Sequence, residues 1–154
     1  MNRIDGKIAI ITGGTQGLGE AIARKFSECG AEGIVICGRN SKKGHNVVRS
    51  IMEQSNTKVY FVASDLEKID DVQKIIPAAD EKFGRVDILV NAAGLTDRGN
   101  LLNTSVELFD RMFSVNTRAP FFLMQDTAKI MIREKIEGTM VNIGSASAHA
   151  GQPF

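Results

Sequence analysis

Two serines near the end of the sequence, Ser145 and Ser147, are the first residues that could do chemistry. They follow the apolar run TMVNI, which is typical of a β-strand, and lie in the segment NIGSASAHAGQPF. A serine hydroxyl does little chemistry without a base or an acid beside it. A catalytic serine here therefore requires an ionisable partner elsewhere in the protein.

A glycine-rich loop, TGGTQGLG, occupies positions 12–19, between a predicted strand and a predicted helix. Glycines let a backbone turn sharply and come close to a ligand, and a helix N-terminus offers unpaired N–H groups to a pyrophosphate. The order strand, loop, helix is the context that dinucleotide binding requires. A glycine-rich turn without a ligand is the alternative. The spacing is TGxxxGxG rather than GxGxxG.

An arginine, Arg39, stands where the next cofactor-binding residue is expected. In dinucleotide-binding folds an acid about 20 residues past the glycines holds the ribose 2′-hydroxyl, whereas a nearby arginine accommodates a 2′-phosphate. Counting on from Gly19 reaches CGRN at 37–40, which contains no acid. Because a guanidinium presents a planar fork of donors suited to phosphate, the cofactor NADP(H) is favoured over NAD(H). The alternative is that Arg39 is a solvated charge at the start of a helix.

Short apolar runs alternate with longer amphipathic ones along the chain. Strands are predicted at 7–12, 34–37, 58–63, 87–91 and 139–143. Helices are predicted at 17–29, 41–54, 69–83, 105–117 and 121–135, the last two separated near Pro120. The alternation predicts an α/β fold with a doubly wound parallel sheet, a Rossmann fold, whose ligands bind at the carboxyl ends of the strands. At this length we expect a single domain, over residues 1–154.

Together with four further motifs, these features resemble the short-chain dehydrogenase/reductase family. The motifs are DL at 65–66 after the third strand, NAAG at 91–94 after the fourth, SVN at 114–116 on a helix, and Ser145 after the fifth strand. The resemblance covers the whole chain. It implies an NAD(P)-dependent oxidoreductase that passes hydride between the nicotinamide and a carbonyl or secondary alcohol.

The resemblance also implies which residues bind the cofactor. Asp65 and Leu66 would contact the adenine ring. Asn91, Ala92 and Gly94 would line the adenosine ribose side and brace the sheet, although NAAG stands where many members have NNAG. The glycine-rich loop would hold the cofactor phosphates, through Gly13, Thr15, Gln16, Gly17, Leu18 and Gly19.

Two catalytic residues are implied in the same way. Asn116 would hold a water of the proton relay, and Ser145 would donate a hydrogen bond to the substrate oxygen, with Ser147 as a second candidate. Structural alternatives remain open for several of these positions. Asp65 could cap the helix that follows it, and Asn91 and Asn116 could be buried amides satisfied by backbone groups.

The family's proton donor, a tyrosine in a YxxxK motif shortly after the serine, has no counterpart in the sequence. Tyr60 is the one tyrosine, and Ser64 stands where the lysine of the motif would be. We interpret Tyr60 as a packing residue of the third strand. Because the sequence ends at Phe154, a few positions short of the expected tyrosine, we expect an incomplete domain, truncated after the fifth strand. Such a chain would be inactive by itself, and its uncovered strand edge would make it poorly stable.

Three hypotheses on function follow. The first is that the complete protein is an oxidoreductase acting on a small carbonyl or alcohol substrate. The second is a catalytically inactive module that at most binds nucleotide, and the third is a subunit whose missing part comes from a partner chain. Because the family commonly forms dimers and tetramers, we expect the full-length protein to be a homo-oligomer, a dimer or a tetramer.

The composition excludes several other classes of function. A formal net charge of +1 gives no electrostatic attraction to nucleic acid or to an anionic membrane. No apolar stretch is long enough for a membrane span. Cys29 and Cys37 have no metal-site spacing, and His45 and His149 lack companions at ligand spacing, so we expect no metal. These features favour a reduced, cytoplasmic location.

Overall fold

A computed structural model of the protein describes residues 3–97 and 99–146. Strands and helices alternate along the chain, close to the predicted order. The strands are β1 Ile8–Thr12, β2 Gly33–Gly38, β3 Lys58–Ala63, β4 Ile88–Asn91 and β5 Thr139–Asn142. The helices are α1 Gly17–Glu28, α2 Ser41–Gln54, α3 Ile69–Phe83, α4 Val106–Phe113 and α5 Ala119–Arg133.

The strands form one parallel sheet in the order β3-β2-β1-β4-β5. Ile10 of the central strand β1 stands in register with Val35 of β2 and Leu89 of β4. The chain builds outward from β1 in one direction through β2 and β3, and in the other through β4 and β5. This reversal creates a switch point between β1 and β4 at the carboxyl edge, where such sheets bind their ligands. The predicted doubly wound sheet is confirmed.

Helices cover both faces of the sheet, which explains why the central strands are apolar at almost every position. One cluster of buried side chains joins Ile10 and Val35 to residues of α3 and α5. A second cluster joins Ile11, Ile34 and Ile36 to residues of α1 and α2. These two buried clusters fix the positions of the carboxyl ends of β1, β2 and β4 relative to one another.

The separation predicted near Pro120 does not occur, because α4 and α5 are joined by a π-helical turn at Ser114–Arg118. Proline lacks an N–H and its ring crowds the carbonyl of the preceding turn. The wider π turn relieves that crowding without ending the helix. The consequence is that Asn116 lies in a π turn, a feature that often marks functional sites.

Helix α4 is the least covered part of this helical segment. None of its residues is buried, and the rings of Phe109 and Phe113 stack on each other at 4.4 Å while about half of each side chain is exposed. The exposed apolar face is therefore available for contact with other protein surface. In the described part of the chain, none of the helices has both the length and the apolar character that a membrane crossing needs.

At the amino edge of the sheet a carboxylate, Asp87, is almost completely buried just before β4. It accepts hydrogen bonds from Arg85 (2.6 Å), Lys7 (3.2 Å) and the backbone N–H of Ile8 (2.9 Å). Burial by itself raises the pKa of Asp87. The hydrogen bonds, that of Arg85 first, outweigh this effect and hold the pKa below its ordinary value.

Candidate functional site

A cleft of about 330 Å³ lies at the carboxyl edge of the sheet, between the segments that follow β1, β2, β3 and β4. Eleven of the twelve residues predicted to bind a cofactor line it: Gly13, Thr15, Gln16, Gly17, Leu18, Gly19, Arg39, Asp65, Leu66, Ala92 and Gly94. Other residues that line it were missed by the sequence analysis, namely Gly38, Ser64, Glu67, Ala93, Leu95 and Val115. Their one signal in the sequence is that they lie within or beside the strand ends and candidate motifs.

The glycine-rich loop brings bare backbone up to the cleft. Gly13 has a φ of +68°, and a Cβ there would lie 3.0 Å from the Cα of Ala93, so both its conformation and its surroundings require glycine. A Cβ at Gly19 would overlap the carbonyl of Gly13. The N–H of Gly14 donates to the carbonyl of Cys37 (3.2 Å). Burial raises the pKa of the Cys37 thiol to about 12, so this cysteine remains protonated.

Gln16 occupies the N-cap position of α1 without capping it. Its side chain makes no capping hydrogen bond, and its amide oxygen Oε1 instead accepts a hydrogen bond from Lys43 Nζ (2.6 Å). The first N–H groups of a helix have no partner within the helix. At α1 they begin beside Gly17, Leu18 and Gly19, which line the cleft. The arrangement is suited to an anionic group.

Thr12, at the end of β1, ties the loop after β4 to the glycine-rich loop. Its side chain is buried, and its Oγ1 accepts hydrogen bonds from the backbone N–H groups of Ala92 (3.1 Å) and Ala93 (3.0 Å). Both alanines line the cleft. Thr12 therefore sets the distance between two walls of the cleft, a role that the sequence analysis did not assign.

Asn91 is the predicted cofactor-binding residue that does not line the cleft. It is buried at the end of β4, and its Nδ2 donates to Oδ1 of its register partner Asn142 on β5 (2.8 Å). Its own Oδ1 is buried and has no partner among the described residues. The geometry makes Asn91 a brace between β4 and β5, which is part of its predicted role.

Arg39 stands exposed at the rim of the cleft, directly after β2. Among the residues that the structure describes, none forms an ion pair or side-chain hydrogen bond with its guanidinium. Leu66 is largely buried in the core while still lining the cleft. Asp65 accepts a hydrogen bond from the N–H of Glu67 (3.2 Å). The alternative that Asp65 caps α3 is wrong, because Lys68 occupies that N-cap.

The two predicted catalytic residues lie in different elements, Asn116 in the π turn between α4 and α5 and Ser145 after β5. The amide of Asn116 binds the backbone of Leu95 twice: Oδ1 accepts from the N–H and Nδ2 donates to the carbonyl, each at 2.8 Å. This pairing with backbone groups agrees with one part of the structural alternative, but Asn116 is exposed rather than buried. Ser145 follows β5, next to β4 in the sheet. Ser147 lies outside the described residues.

Tyr60 lies on β3, the outer strand opposite β5. Its ring meets the edge of Phe83 at a centroid distance of 5.5 Å, and Lys82 Nζ lies 5.9 Å from the ring centroid. These contacts agree with a packing role. The three central strands of the sheet separate Tyr60 from the strand that leads to Ser145.

Comparison with known proteins gives consistent similarities. A family model described as short chain dehydrogenase matches residues 7–154. Versicolorin reductase 1 from Dothistroma septosporum is 38% identical over 124 residues, which are 80% of this chain and 47% of that protein. The chain spans about half the length of the curated relatives that it matches.

Two solved structures share the fold, and each match covers more than nine-tenths of this chain. A metagenomic short-chain oxidoreductase in complex with NADP is 33% identical with a TM-score of 0.85, covering 92% of this chain and 63% of that one. L-Sorbose reductase from Gluconobacter frateurii, complexed with NADPH and L-sorbose, is 30% identical with a TM-score of 0.91. That match covers 96% of this chain and 56% of the reductase.

Proposed function

Because this chain belongs to the short-chain dehydrogenase/reductase family, we propose that it provides the cofactor-binding part of an NADP(H)-dependent oxidoreductase. The reaction would transfer a hydride between the nicotinamide and a carbonyl or secondary alcohol of a small molecule. The bound cofactor supplies the hydride chemistry, and the protein supplies binding, orientation and polarisation.

One observation carries the choice of NADP(H): the free guanidinium of Arg39 at the cleft rim. A ribose 2′-hydroxyl is recognised by an acid after β2, but this position offers a cation instead. Arg39 is left without a charged partner among the described residues, so its charge is available to a phosphate. The two structural neighbours described above carry NADP or NADPH, which supports the same choice.

The cleft fits a dinucleotide in its other parts. The uncapped first turn of α1 and the bare backbone from Gly13 to Gly19 suit a pyrophosphate. Leu66 presents an apolar surface for the adenine ring, and Ala92 and Gly94 leave room for a ribose. The roles of Leu66, Ala92 and Gly94 are those that the family resemblance implies, and their position in the cleft supports them.

For the chemical step we propose that Ser145 donates a hydrogen bond to the substrate oxygen and that Asn116 holds a water. The Oδ1 of Asn116 accepts one hydrogen bond from Leu95, and an amide oxygen has a second lone pair for a water. Tyr60 lies on the opposite outer strand, so we do not assign it as the proton donor. The second candidate function, nucleotide binding without turnover, rests on this placement of Tyr60.

Replacing Arg39 by aspartate tests the choice of cofactor. Arg39→Asp should weaken NADPH binding at least tenfold, a loss of about 1.4 kcal/mol, while NADH binding changes much less. Arg49→Asp is the matched control, because Arg49 is an exposed cation on α2 that does not line the cleft. Titration calorimetry with both nucleotides gives the result. Equal losses for NADPH and NADH in Arg39→Asp would contradict the assignment.

Turnover by the protein as its native source makes it separates the two candidate functions. Oxidation of NADPH by a panel of small ketones and aldehydes, followed by absorbance, would support the oxidoreductase. Nucleotide binding without oxidation of NADPH by any of them would support the binding module.

We also propose a homo-oligomer, for which the exposed face of α4 is the expected contact. The stacked Phe109 and Phe113 supply apolar surface there. Light scattering should give a mass above the 16.7 kDa of one chain, and Phe109→Asp should reduce it. A monomer at all concentrations would contradict this proposal.

A further inference from the structure

A second cation, Lys43, lies four residues after Arg39 in the sequence, in the first turn of α2. Its backbone N–H is held by the N-cap Asn40 (2.9 Å), and its Nζ donates to Gln16 Oε1 (2.6 Å). This hydrogen bond joins α2 to the glycine-rich loop. Gln16 lines the cofactor cleft and, with Lys43, also lines a shallower cleft between α1 and α2. Lys43 Nζ therefore stands at the wall that the two clefts share.

The charge of Lys43 is not cancelled by its partner, because Gln16 offers a neutral amide. Arg24, the other cation in the shallower cleft, is paired differently. It donates two hydrogen bonds to Glu20 Oε1 (2.9 and 2.8 Å). Among the described residues Glu20 is the one carboxylate that lines this cleft, and it already serves Arg24. Among the described residues the ammonium group of Lys43 thus has no carboxylate partner, and its hydrogen bond to Gln16 holds it beside the cofactor cleft.

We propose that Lys43 is a second determinant of cofactor choice, which acts with Arg39 on the 2′-phosphate. This inference rests on the proposed NADP(H) function. A phosphate monoester carries a charge of about −1.5 to −2 at neutral pH, more than the single guanidinium of Arg39 can balance. Gln16 holds the ammonium group near its working position through a bond that a phosphate, as a charged acceptor, can replace at a gain in strength.

The experiment uses two probes that differ in the 2′-phosphate alone, adenosine 2′,5′-bisphosphate and AMP. Lys43→Gln should weaken binding of the bisphosphate about five- to tenfold and leave AMP binding within about twofold. Lys43→Arg should retain most of the affinity for the bisphosphate. The matched control is Lys42→Gln, since Lys42 is the adjacent exposed cation and lines neither cleft. It should change neither affinity by more than about twofold.

Each other outcome has a defined meaning. Equal weakening of both probes in Lys43→Gln would show that Lys43 merely supports the glycine-rich loop, and would overturn the inference. If the ratio of the affinity for the bisphosphate to the affinity for AMP does not change in Lys43→Gln, the inference is overturned as well. If the unaltered chain binds AMP as tightly as the bisphosphate, or binds neither, the NADP(H) proposal itself fails. If the preference is lost in Arg39→Asp but kept in Lys43→Gln, the NADP(H) proposal stands and the inference on Lys43 fails.

Discussion

Replacing Thr12 by valine should destabilise the protein through two backbone groups at the cleft. Valine has nearly the shape of threonine, so packing at this buried position changes little. The lost hydroxyl is the acceptor for the N–H groups of Ala92 and Ala93, at 3.1 and 3.0 Å. After Thr12→Val these two donors would lack a partner at a partly buried site.

The size of the loss in stability follows from the number of N–H donors that lose their acceptor, which is two. An unsatisfied buried donor costs about 1–3 kcal/mol. Both alanines are only partly buried, so water can reach them in part and the lower half of the range applies. Two such donors give a loss in the free energy of unfolding of about 2–4 kcal/mol. With a urea m-value of about 2 kcal/mol/M, the midpoint should fall by about 1–2 M.

The chain offers a matched control in Thr127 of α5. Thr127 is fully buried, and its Oγ1 has no hydrogen-bond partner among the described residues. Thr127→Val therefore removes a buried hydroxyl that satisfies nothing, and should be neutral or stabilise the protein by up to about 1 kcal/mol.

Urea titration followed by circular dichroism, on both variants and the unaltered chain, measures the three free energies of unfolding. A Thr12→Val midpoint within error of the unaltered chain would refute the argument on unsatisfied donors. Equal losses in Thr12→Val and Thr127→Val would refute it too, since the cost would then lie in packing.

Two further predictions concern the glycine-rich loop and the amino edge of the sheet. Gly19→Ala should weaken nucleotide binding more than tenfold, because its Cβ would overlap the carbonyl of Gly13. Gly144→Ala, whose Cβ would meet open space, is the control in the same calorimetric titration. Unchanged binding in Gly19→Ala would contradict the close approach of Gly19 to Gly13. Asp87→Asn should lower the free energy of unfolding at pH 7 by about 1–3 kcal/mol, because it removes the charge that binds Arg85. Since the pKa of Asp87 is lowered by folding, its stabilising effect is present above the unfolded-state pKa of about 4 and is lost as the pH falls below it. The difference between the two proteins in urea midpoint should therefore narrow in acid, and a constant difference would contradict the prediction.

Most of the fold could be predicted from the sequence because strand and helix periods are local properties. Strands buried on both faces read as apolar runs, as in β1, and the helices between them show amphipathic spacing. The ends were less accurate: β4 begins at Ile88 rather than at Asp87, a difference of one residue of the size that boundary assignment commonly shows. The π turn before Pro120 was not predictable, since proline favours a break and a continuous helix is decided by tertiary packing.

The candidate site was predictable to the extent that its residues flank strand ends. Eleven predicted positions meet in one cleft because parallel strands bring their carboxyl ends to one edge. Contacts between distant segments carry no local signal. The hydrogen bond from Lys43 to Gln16, the pairing of Asn91 with Asn142, and the bonds from the loop to Thr12 all depend on how α2, β4 and β5 pack.

The two edges of the sheet differ in how their polar groups are satisfied, and this difference supports ligand binding at the carboxyl edge. At the amino edge the buried carboxylate of Asp87 is matched by two cations and a backbone N–H. At the carboxyl edge, within the described residues, Arg39 has no charged partner, Lys43 has a neutral one, and α1 begins without a side-chain cap. Structural polar groups are usually paired within the protein. Asp65 and Glu67 also line the cleft, but neither forms an ion pair with Arg39 or Lys43 among the described residues. Two cations without a carboxylate partner are therefore better explained by an anion that binds there than by the needs of folding. A dinucleotide with an added phosphate supplies negative charge near these cations and near the free N–H groups of α1.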